Sequence, residues 1–273
     1  MSKRMALRRR SFLGTVAAVG GGLALGWRVP AFADAGDQEL GIWVVISPDD
    51  TTTVRIARSE MGQGTFTGLA QLVADELDAD WRTVQAEYVA PDVNLAHKRA
   101  WGDMSTGGSR GIRGSVDYVR KGGAAARAML LAAAAQQWNV PVAECKAANS
   151  VITHEKTGQQ FSYGEIAEDA AKLPVPIEVT LKTPAQWTII GKSVRRLDTF
   201  LKLSGRQVFA IDVQLPDMLN AAIAQCPVYG GKLQSFDADK IKAMPGVRHV
   251  VPVDDNAVAV VADKWYQAKT ALA

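Results

Sequence analysis

Cysteine and histidine are scarce in this chain of 273 residues, which has two of the first (Cys145, Cys226) and three of the second (His97, His154, His249). No Cys-x-x-Cys occurs, no histidine stands beside either cysteine, and no two histidines fall at i, i+4. A metal site ligated by this chain is therefore not expected, and there are too few thiols to hold an iron–sulfur cluster. The same scarcity argues against a Ser/His/Asp hydrolase. No Gly-Lys-Ser closes a phosphate loop, and Gly-x-Gly-x-x-Gly fails because Thr67 stands where Gly62 and Gly64 require a third glycine. Acidic residues are absent before Asp34.

What that acid-free beginning holds is informative. Lys3, Arg4, Arg8, Arg9 and Arg10 precede an apolar run from Phe12 to Trp27, and Ala31-Phe32-Ala33 closes it with a small-x-small site. At 16 residues, diluted by Gly14, Gly20, Gly21, Gly22 and Gly26, the run is shorter than the roughly 20 apolar residues of a spanning helix. Arg9-Arg10 followed by Ser11-Phe12-Leu13 resembles the twin-arginine export signal, which carries folded proteins across the bacterial inner membrane. Residues 1–33 are thus expected to be a removable leader to the periplasm, an uncleaved membrane anchor being the alternative. Six of the 31 Lys and Arg lie there, so 25 face 28 Asp and Glu in the remainder. No basic patch argues for nucleic acid, and the periplasm would permit, without requiring, a disulfide.

The remaining chain alternates short strands with helices. Ile42 to Ile46 and Thr53 to Arg58 read as a hairpin around Ser47-Pro48-Asp49-Asp50. Phe66, Leu69, Ala70, Val73 and Leu77 fall at helical spacing, with Asp75, Glu76, Asp78 and Asp80 mainly on the other side. Thr83 to Val89 returns as a strand. A long Ala-rich helix is predicted from Val116 to Trp138. Within it Gly122-Gly123 costs about 1 kcal/mol per glycine relative to alanine, tolerable where a neighbour packs close. Val151 to His154 and Gln159 to Phe161 form a hairpin, and Ser162 with Glu165 a capping box for a helix to Ala171. Leu173 to Gly191, with three prolines, reads as an extended linker. Beyond it strands are predicted at Val208 to Val213, Val247 to Val253 and Ala257 to Val261, with helices at Asp237 to Ala243 and from Trp265 onward.

Two glycine-rich turns carry the chemistry. Gly62-Gln63-Gly64 and Gly107-Gly108-Ser109-Arg110 each stand just before a helix, where free backbone N–H groups and the helix dipole favour an anion. Gln63 adds an amide, Ser109 a hydroxyl and Arg110 a fixed cation. Together they suit a phosphate or a polar heterocycle. From spacing alone each could equally be an ordinary tight bend.

Glu60-Met61-Gly62-Gln63-Gly64 followed by Gln71-Leu72-Val73-Ala74-Asp75-Glu76-Leu77 resembles the glycine–glutamine motif of the xanthine dehydrogenase/aldehyde oxidase family. Thr106-Gly107-Gly108-Ser109-Arg110-Gly111 is similar to that family's second cofactor-contacting turn. Arg195-Arg196-Leu197-Asp198, Ser204-Gly205-Arg206-Gln207-Val208-Phe209-Ala210-Ile211-Asp212 and Met244-Pro245-Gly246-Val247 resemble its α/β-hammerhead domain. The order, cofactor motifs first and hammerhead second behind an export signal, resembles the large subunits of the isoquinoline 1-oxidoreductase and membrane-associated aldehyde dehydrogenase type.

The resemblance implies an α+β chain, with a molybdopterin-binding-type domain over residues 41–183 and an incomplete hammerhead over residues 191–273. It implies a molybdenum cofactor of the molybdopterin cytosine dinucleotide type, contacted by Gly62, Gln63, Gly64, Gly107, Gly108, Ser109 and Arg110, with the metal held by the pterin rather than by protein side chains. It further implies oxidation of an aldehyde or N-heterocycle with water as oxygen source, and electrons leaving through clusters on a small iron–sulfur subunit. A membrane cytochrome c subunit is a further partner it admits. The family's catalytic glutamate belongs to a later segment without counterpart here, so neither Glu60 nor Glu76 receives that role. The chain resembles the N-terminal part of a longer subunit and is expected to be inactive alone. The competing reading is a scaffold repeat that docks a partner and holds no cofactor.

Overall fold

The computed structural model describes residues 38–273. The twin-arginine motif and the Ala31-Phe32-Ala33 site lie outside the described residues. By contacts the chain divides between Gly205 and Arg206. Gly191 to Gly205, expected to open the second domain, group with the first unit.

The first unit begins with β1 (Gln38–Leu40), β2 (Val44–Ile46) and β3 (Thr52–Ile56), followed by α1 (Thr65–Leu77) and β4 (Val84–Tyr88). These strands make one sheet in the order β1-β2-β3-β4. The first three are antiparallel, while β4 runs parallel to β3, Thr52 facing Val84 and Ile56 facing Tyr88. A parallel neighbour needs a crossover, and α1 supplies it. Because the βαβ unit packs α1 on the sheet, Val44, Ile46, Val54 and Ile56 are buried beneath its Leu69, Val73 and Leu77. β1 is a strand that the sequence reading did not foresee; a turn at Gly41 (φ 73°) separates it from β2.

Next come α2 (Pro91–Ala96), α3 (Arg110–Arg113) and α4 (Val116–Trp138). The bounds of α4 match those predicted, and its glycines have a steric reason. A Cβ on Gly123 would lie 2.4 Å from the Val73 carbonyl oxygen of α1, and one on Gly122 2.5 Å from the Trp43 ring. The helices meet closer than an alanine permits. β5 (Cys145–Ala148), β6 (Val151–His154) and β7 (Gln160–Ser162) form a separate antiparallel sheet leading into α5 (Tyr163–Ala171). The predicted box is present: the Glu165 amide donates to Ser162 Oγ (3.3 Å), and the Ser162 amide donates to Glu165 Oε2 (2.8 Å). Tyr163, fully buried, donates its hydroxyl to the Leu77 carbonyl (2.5 Å) and ties α5 to the end of α1. A short helix, α6 (Thr199–Leu203), ends the unit.

The second unit has β8 (Asn220–Gln225), α7 (Ala238–Lys242), β9 (Val247–Val253), β10 (Ala257–Ala262) and α8 (Trp265–Leu272). Its antiparallel sheet has the order β8-β10-β9. The strand expected at Val208 to Val213 is absent. Ala210–Asp212 forms a 3-10 turn instead, closed by the Phe209 amide donating to Asp212 Oδ2 (3.0 Å). An acceptor three residues on offers this backbone a local partner that a ladder would otherwise provide.

Candidate functional site

The strand β3 runs through Ala57, Arg58 and Ser59 into the first glycine turn, and α1 begins directly after it. Gly62 (φ 103°) and Gly64 (φ 86°, the N-cap of α1) hold backbone conformations that side chains rarely adopt, and a Cβ on either would meet nothing within 4 Å. The turn is therefore open above its glycines, and Met61, Gly62 and Gln63 are exposed.

The anion that the start of α1 favours is already there, and it belongs to the chain. Glu60 Oε1 accepts from the amides of Gly62 (2.7 Å) and Gly64 (2.9 Å), and Oε2 accepts from Phe66 (3.0 Å). Arg196 Nη2 lies 3.1 Å from Oε1. Burial by itself would raise the Glu60 carboxyl, but the three amides and the Arg196 cation together hold it below its ordinary value. The Gln63 carboxamide also closes on its own turn, accepting from the Met61 amide (2.5 Å) and donating to the Ser59 carbonyl (2.9 Å). A carboxamide has two N–H groups and two lone pairs, so one of each is left for a ligand.

The second turn is hung from the first. Arg58 donates through Nη1 to Asp103 Oδ1 (2.9 Å) and to the Ser105 carbonyl, and through Nε to Ser115 Oγ (3.3 Å). The Ser59 amide donates to Thr106 Oγ1 (2.9 Å). The Ser105 amide, with its hydroxyl and Arg58, holds the Asp103 carboxyl at about 2. A Cβ on Gly111 would come within 2.9 Å of Thr65 Oγ1, so α3 sits tight against the start of α1. The two predicted turns thus adjoin at one rim of the first unit. Gly107, Gly108, Ser109 and Arg110 are all exposed there, with Gly108 (φ 57°) and Ser109 (φ 54°) left-handed. Arg113 folds back onto the carbonyls of Gly108 (2.9 Å) and Ser109 (3.1 Å), while Arg110 has only long contacts, 3.4 Å to Ser105 Oγ and 3.5 Å to the Gly107 carbonyl. Arg110 is the loosely held cation of the rim.

Behind α1 lies a cluster that sequence reasoning did not foresee. Asp75 and Glu76 lie off the apolar stripe of the helix, as expected, yet both are fully buried. Asp75 Oδ2 accepts from the amides of Thr188 (3.0 Å), Ile189 (2.7 Å) and Ile190 (2.8 Å). Glu76 Oε1 accepts from Arg120 Nη2 (2.6 Å) and Nε (2.9 Å), and Oε2 from the Lys182 amide (3.1 Å). Lys182 Nζ bridges Asp75 Oδ1 (3.3 Å) and Asp78 Oδ1 (2.6 Å). The stretch read as a linker is instead a strap bound along α1. The signal available was the carboxylate pair itself, beside a glycine-bearing partner helix, with a lone lysine in an otherwise proline-rich stretch.

Cys145 and Cys226 are free thiols. His154 is buried between Glu144 Oε2 (3.0 Å) and Thr157 Oγ1 (2.7 Å). Among the described residues no group of three or more His, Cys, Asp or Glu could hold a metal, and no helix is long and apolar enough to cross a membrane.

Residues 2–200 match the family model of a molybdopterin cofactor-binding domain. The chain is 32% identical to the membrane-bound aldehyde dehydrogenase (pyrroloquinoline-quinone) of Gluconacetobacter polyoxogenes, covering 94% of this chain and 34% of that one. It is 29% identical to the beta chain of the isoquinoline 1-oxidoreductase of Brevundimonas diminuta, over 98% of this chain and 39% of the relative. One component of the nicotinate dehydrogenase of Pseudomonas putida is 28% identical, over 85% and 20% respectively. The chain thus spans between a fifth and two fifths of the length of these curated relatives. Among solved structures, the Cu,Mo-CO dehydrogenase in its carbon monoxide-reduced state aligns with 45% of this chain and 15% of its own, at 22% identity and a TM-score of 0.35.

Proposed function

The chain belongs to the molybdopterin cofactor-binding domain family, and from that premise we propose that it is the N-terminal part of an exported molybdenum hydroxylase large subunit. The complete subunit would oxidise an aldehyde or N-heterocycle with water as oxygen source and pass electrons to an iron–sulfur subunit. The relatives named for aldehyde, isoquinoline and nicotinate support this substrate class. The observation that carries the reading for this chain is the meeting of the two glycine turns at one rim, through Ser59 with Thr106 and Thr65 with Gly111.

The residues at that rim fit a polar heterocycle bearing phosphate. The open glycine backbone admits a flat ligand, and Gln63 offers one N–H and one lone pair to its edge. Ser109 and Arg110 suit the phosphate end, since a guanidinium pairs well with phosphate oxygens. Gly62, Gln63 and Gly64 would orient the ligand, and Gly107, Gly108, Ser109 and Arg110 would anchor it. When bound, a molybdenum–pterin cofactor of the cytosine dinucleotide type supplies the redox chemistry. We assign residues 191–273 to an α/β-hammerhead domain. A periplasmic location by the twin-arginine route, with an iron–sulfur subunit and a membrane cytochrome c as partners, completes the proposal.

One observation favours the scaffold reading. Glu60 fills the start of α1 and Gln63 closes on its own turn, so the first turn is complete without a ligand. Metal analysis of the complete subunit separates the readings. Gln63→Ala should lower molybdenum per polypeptide if this repeat holds the cofactor, and unchanged occupancy would favour the scaffold. Because one relative is named for pyrroloquinoline quinone, quinone content should be measured in the same preparation. Stoichiometric quinone with no molybdenum would end the molybdenum reading. Replacing both Arg9 and Arg10 by lysine should leave the protein in the cytoplasm, as the export receptor reads paired guanidinium groups.

A further inference from the structure

We propose that Glu60 and Arg196 are a positioning pair: the Glu60 carboxylate serves as a built-in anion that shapes the Gly62-Gln63-Gly64 turn, and Arg196 locks that turn to the segment that follows the strap. The pairing spans 136 positions of the chain and is made of several independent contacts. The Glu60 side chain is only 4% exposed, and both its oxygens are engaged by the three amides of Gly62, Gly64 and Phe66. Arg196 touches the turn twice, at Glu60 Oε1 (3.1 Å) and through Nη1 donating to the Gly62 carbonyl (3.2 Å). Arg196 is itself held by a two-pronged pair to Asp198, Nε to Oδ1 (2.9 Å) and Nη2 to Oδ2 (2.8 Å), and Lys202 Nζ sits 2.6 Å from Asp198 Oδ2. The next residue, Leu197, donates its amide to Thr67 Oγ1 of α1 (3.1 Å). From the opposite side the Glu60 amide donates to the Tyr88 hydroxyl (3.2 Å), whose ring packs on Phe66 at 4.9 Å between centroids.

Glycines at φ 103° and φ 86° have no side chains to define their geometry, so something else must select one conformation from the many that glycine permits. A carboxylate accepting from both glycine amides does so. A side chain tethered two residues away also outcompetes a dissolved anion for the same amides, since its attack is intramolecular. The first turn consequently presents neutral polar groups rather than an anion site. Any ligand phosphate falls to the Arg110 turn. The relevance of this pair to a cofactor rests on the functional reading above, whereas its effect on the turn does not.

The test is amide NMR of the full chain. In the wild type the Gly62, Gly64 and Phe66 amides should titrate together with one midpoint below the ordinary glutamate range. The charged and titratable groups facing Glu60 are Arg196, Asp198 and Tyr88, with Lys202 behind Asp198. Adding inorganic phosphate at neutral pH should leave these three amides unmoved. Glu60→Ala should speed their exchange about tenfold or more and let phosphate shift them, with no change in β5 to β7. Glu60→Gln should abolish the common titration, and Arg196→Gln should move its midpoint toward the ordinary range. Independent titration of the three wild-type amides, or unaltered exchange in Glu60→Ala, overturns the proposal; the wild-type measurement does so even if a variant fails to fold. Measuring molybdenum in the complete subunit carrying Glu60→Ala distinguishes the two readings. Fast exchange with full occupancy upholds the pair and removes the cofactor from this turn.

Discussion

The two units of this chain place their apolar residues in opposite ways. In the first, thirty buried apolar residues among those described form one core, and the charges that sit among them are paired. In the second, the buried cluster is Val260, Ala262, Ala268 and Ala271, while Val208, Ile211, Leu215, Ile223 and Tyr229 are well exposed. Apolar content alone therefore does not make a core. The first unit has helices laid on a sheet from a βαβ crossover, and a strap that covers the outer side of α1. The second has a three-stranded sheet, one short helix and one of two turns, too little to enclose its own apolar residues. Small units bury a smaller share of their surface and are correspondingly marginal.

The contrast is best broken at Asp75. Asp75→Ala leaves Lys182 short of a partner and three strap amides without an acceptor. It should destabilise the first unit by about 3–5 kcal/mol, read by denaturant unfolding, with exchange in β8 to β10 unchanged. A loss under 1 kcal/mol would mean that the strap is held by its apolar residues alone. Gly123→Ala comes next. Helix propensity would favour it by about 1 kcal/mol, but the Cβ meets the Val73 oxygen at 2.4 Å, and overpacking of this kind costs about 1–3 kcal/mol. A net fall in melting temperature is expected, and a rise would show that α1 and α4 slide apart freely.

Acid should act on the first unit through Glu60 and Asp198. Arg196 holds the Asp198 carboxyl at about 2, against the opposing effect of burial, with Lys202 assisting. Both carboxyls are depressed in the folded state, so their contribution is complete above the unfolded value of about 4 and is lost as pH falls below it, for Asp198 toward about 2. Stability measured from pH 5 to pH 2 should decline less steeply in Asp198→Asn than in the wild type. The smallest effect is expected in the second unit. Ile211 is 92% exposed, so Ile211→Ser should change stability by less than about 0.5 kcal/mol. A larger loss would show that this residue is covered in solution.

Much of the fold was legible before the structure. The bounds of α4, the capping box at Ser162, the hairpin of β2 and β3 and the start of α1 after Gly64 all follow from period, capping and glycine placement. The pairing strands β9 and β10 are likewise legible in the sequence. Val208 to Val213 also reads as a strand and is not one, because a local acceptor at Asp212 and the lack of a neighbouring ladder override its composition. Of the candidate site, the two turns could be named but not joined. Their junction depends on Arg58 reaching Asp103 and on Thr65 meeting Gly111, contacts between residues more than forty positions apart.

What the sequence determined by itself was local: which segments are helical, where glycine must bend the chain, and that two such bends precede helices able to attract negative charge. Only the tertiary structure decided which charge arrives. The period of α1 places Asp75 and Glu76 off its apolar stripe, which would leave them in water if nothing covered that side. The strap covers it from 106 residues further along, bringing amides and Lys182 to carboxylates that desolvation would otherwise penalise. Glu60 likewise lies two residues before the first glycine, but its role needs Arg196 to come back across the fold. Local propensity acts over a turn or two of chain, whereas desolvation is set by whatever packs alongside, and that is known only once the chain has folded.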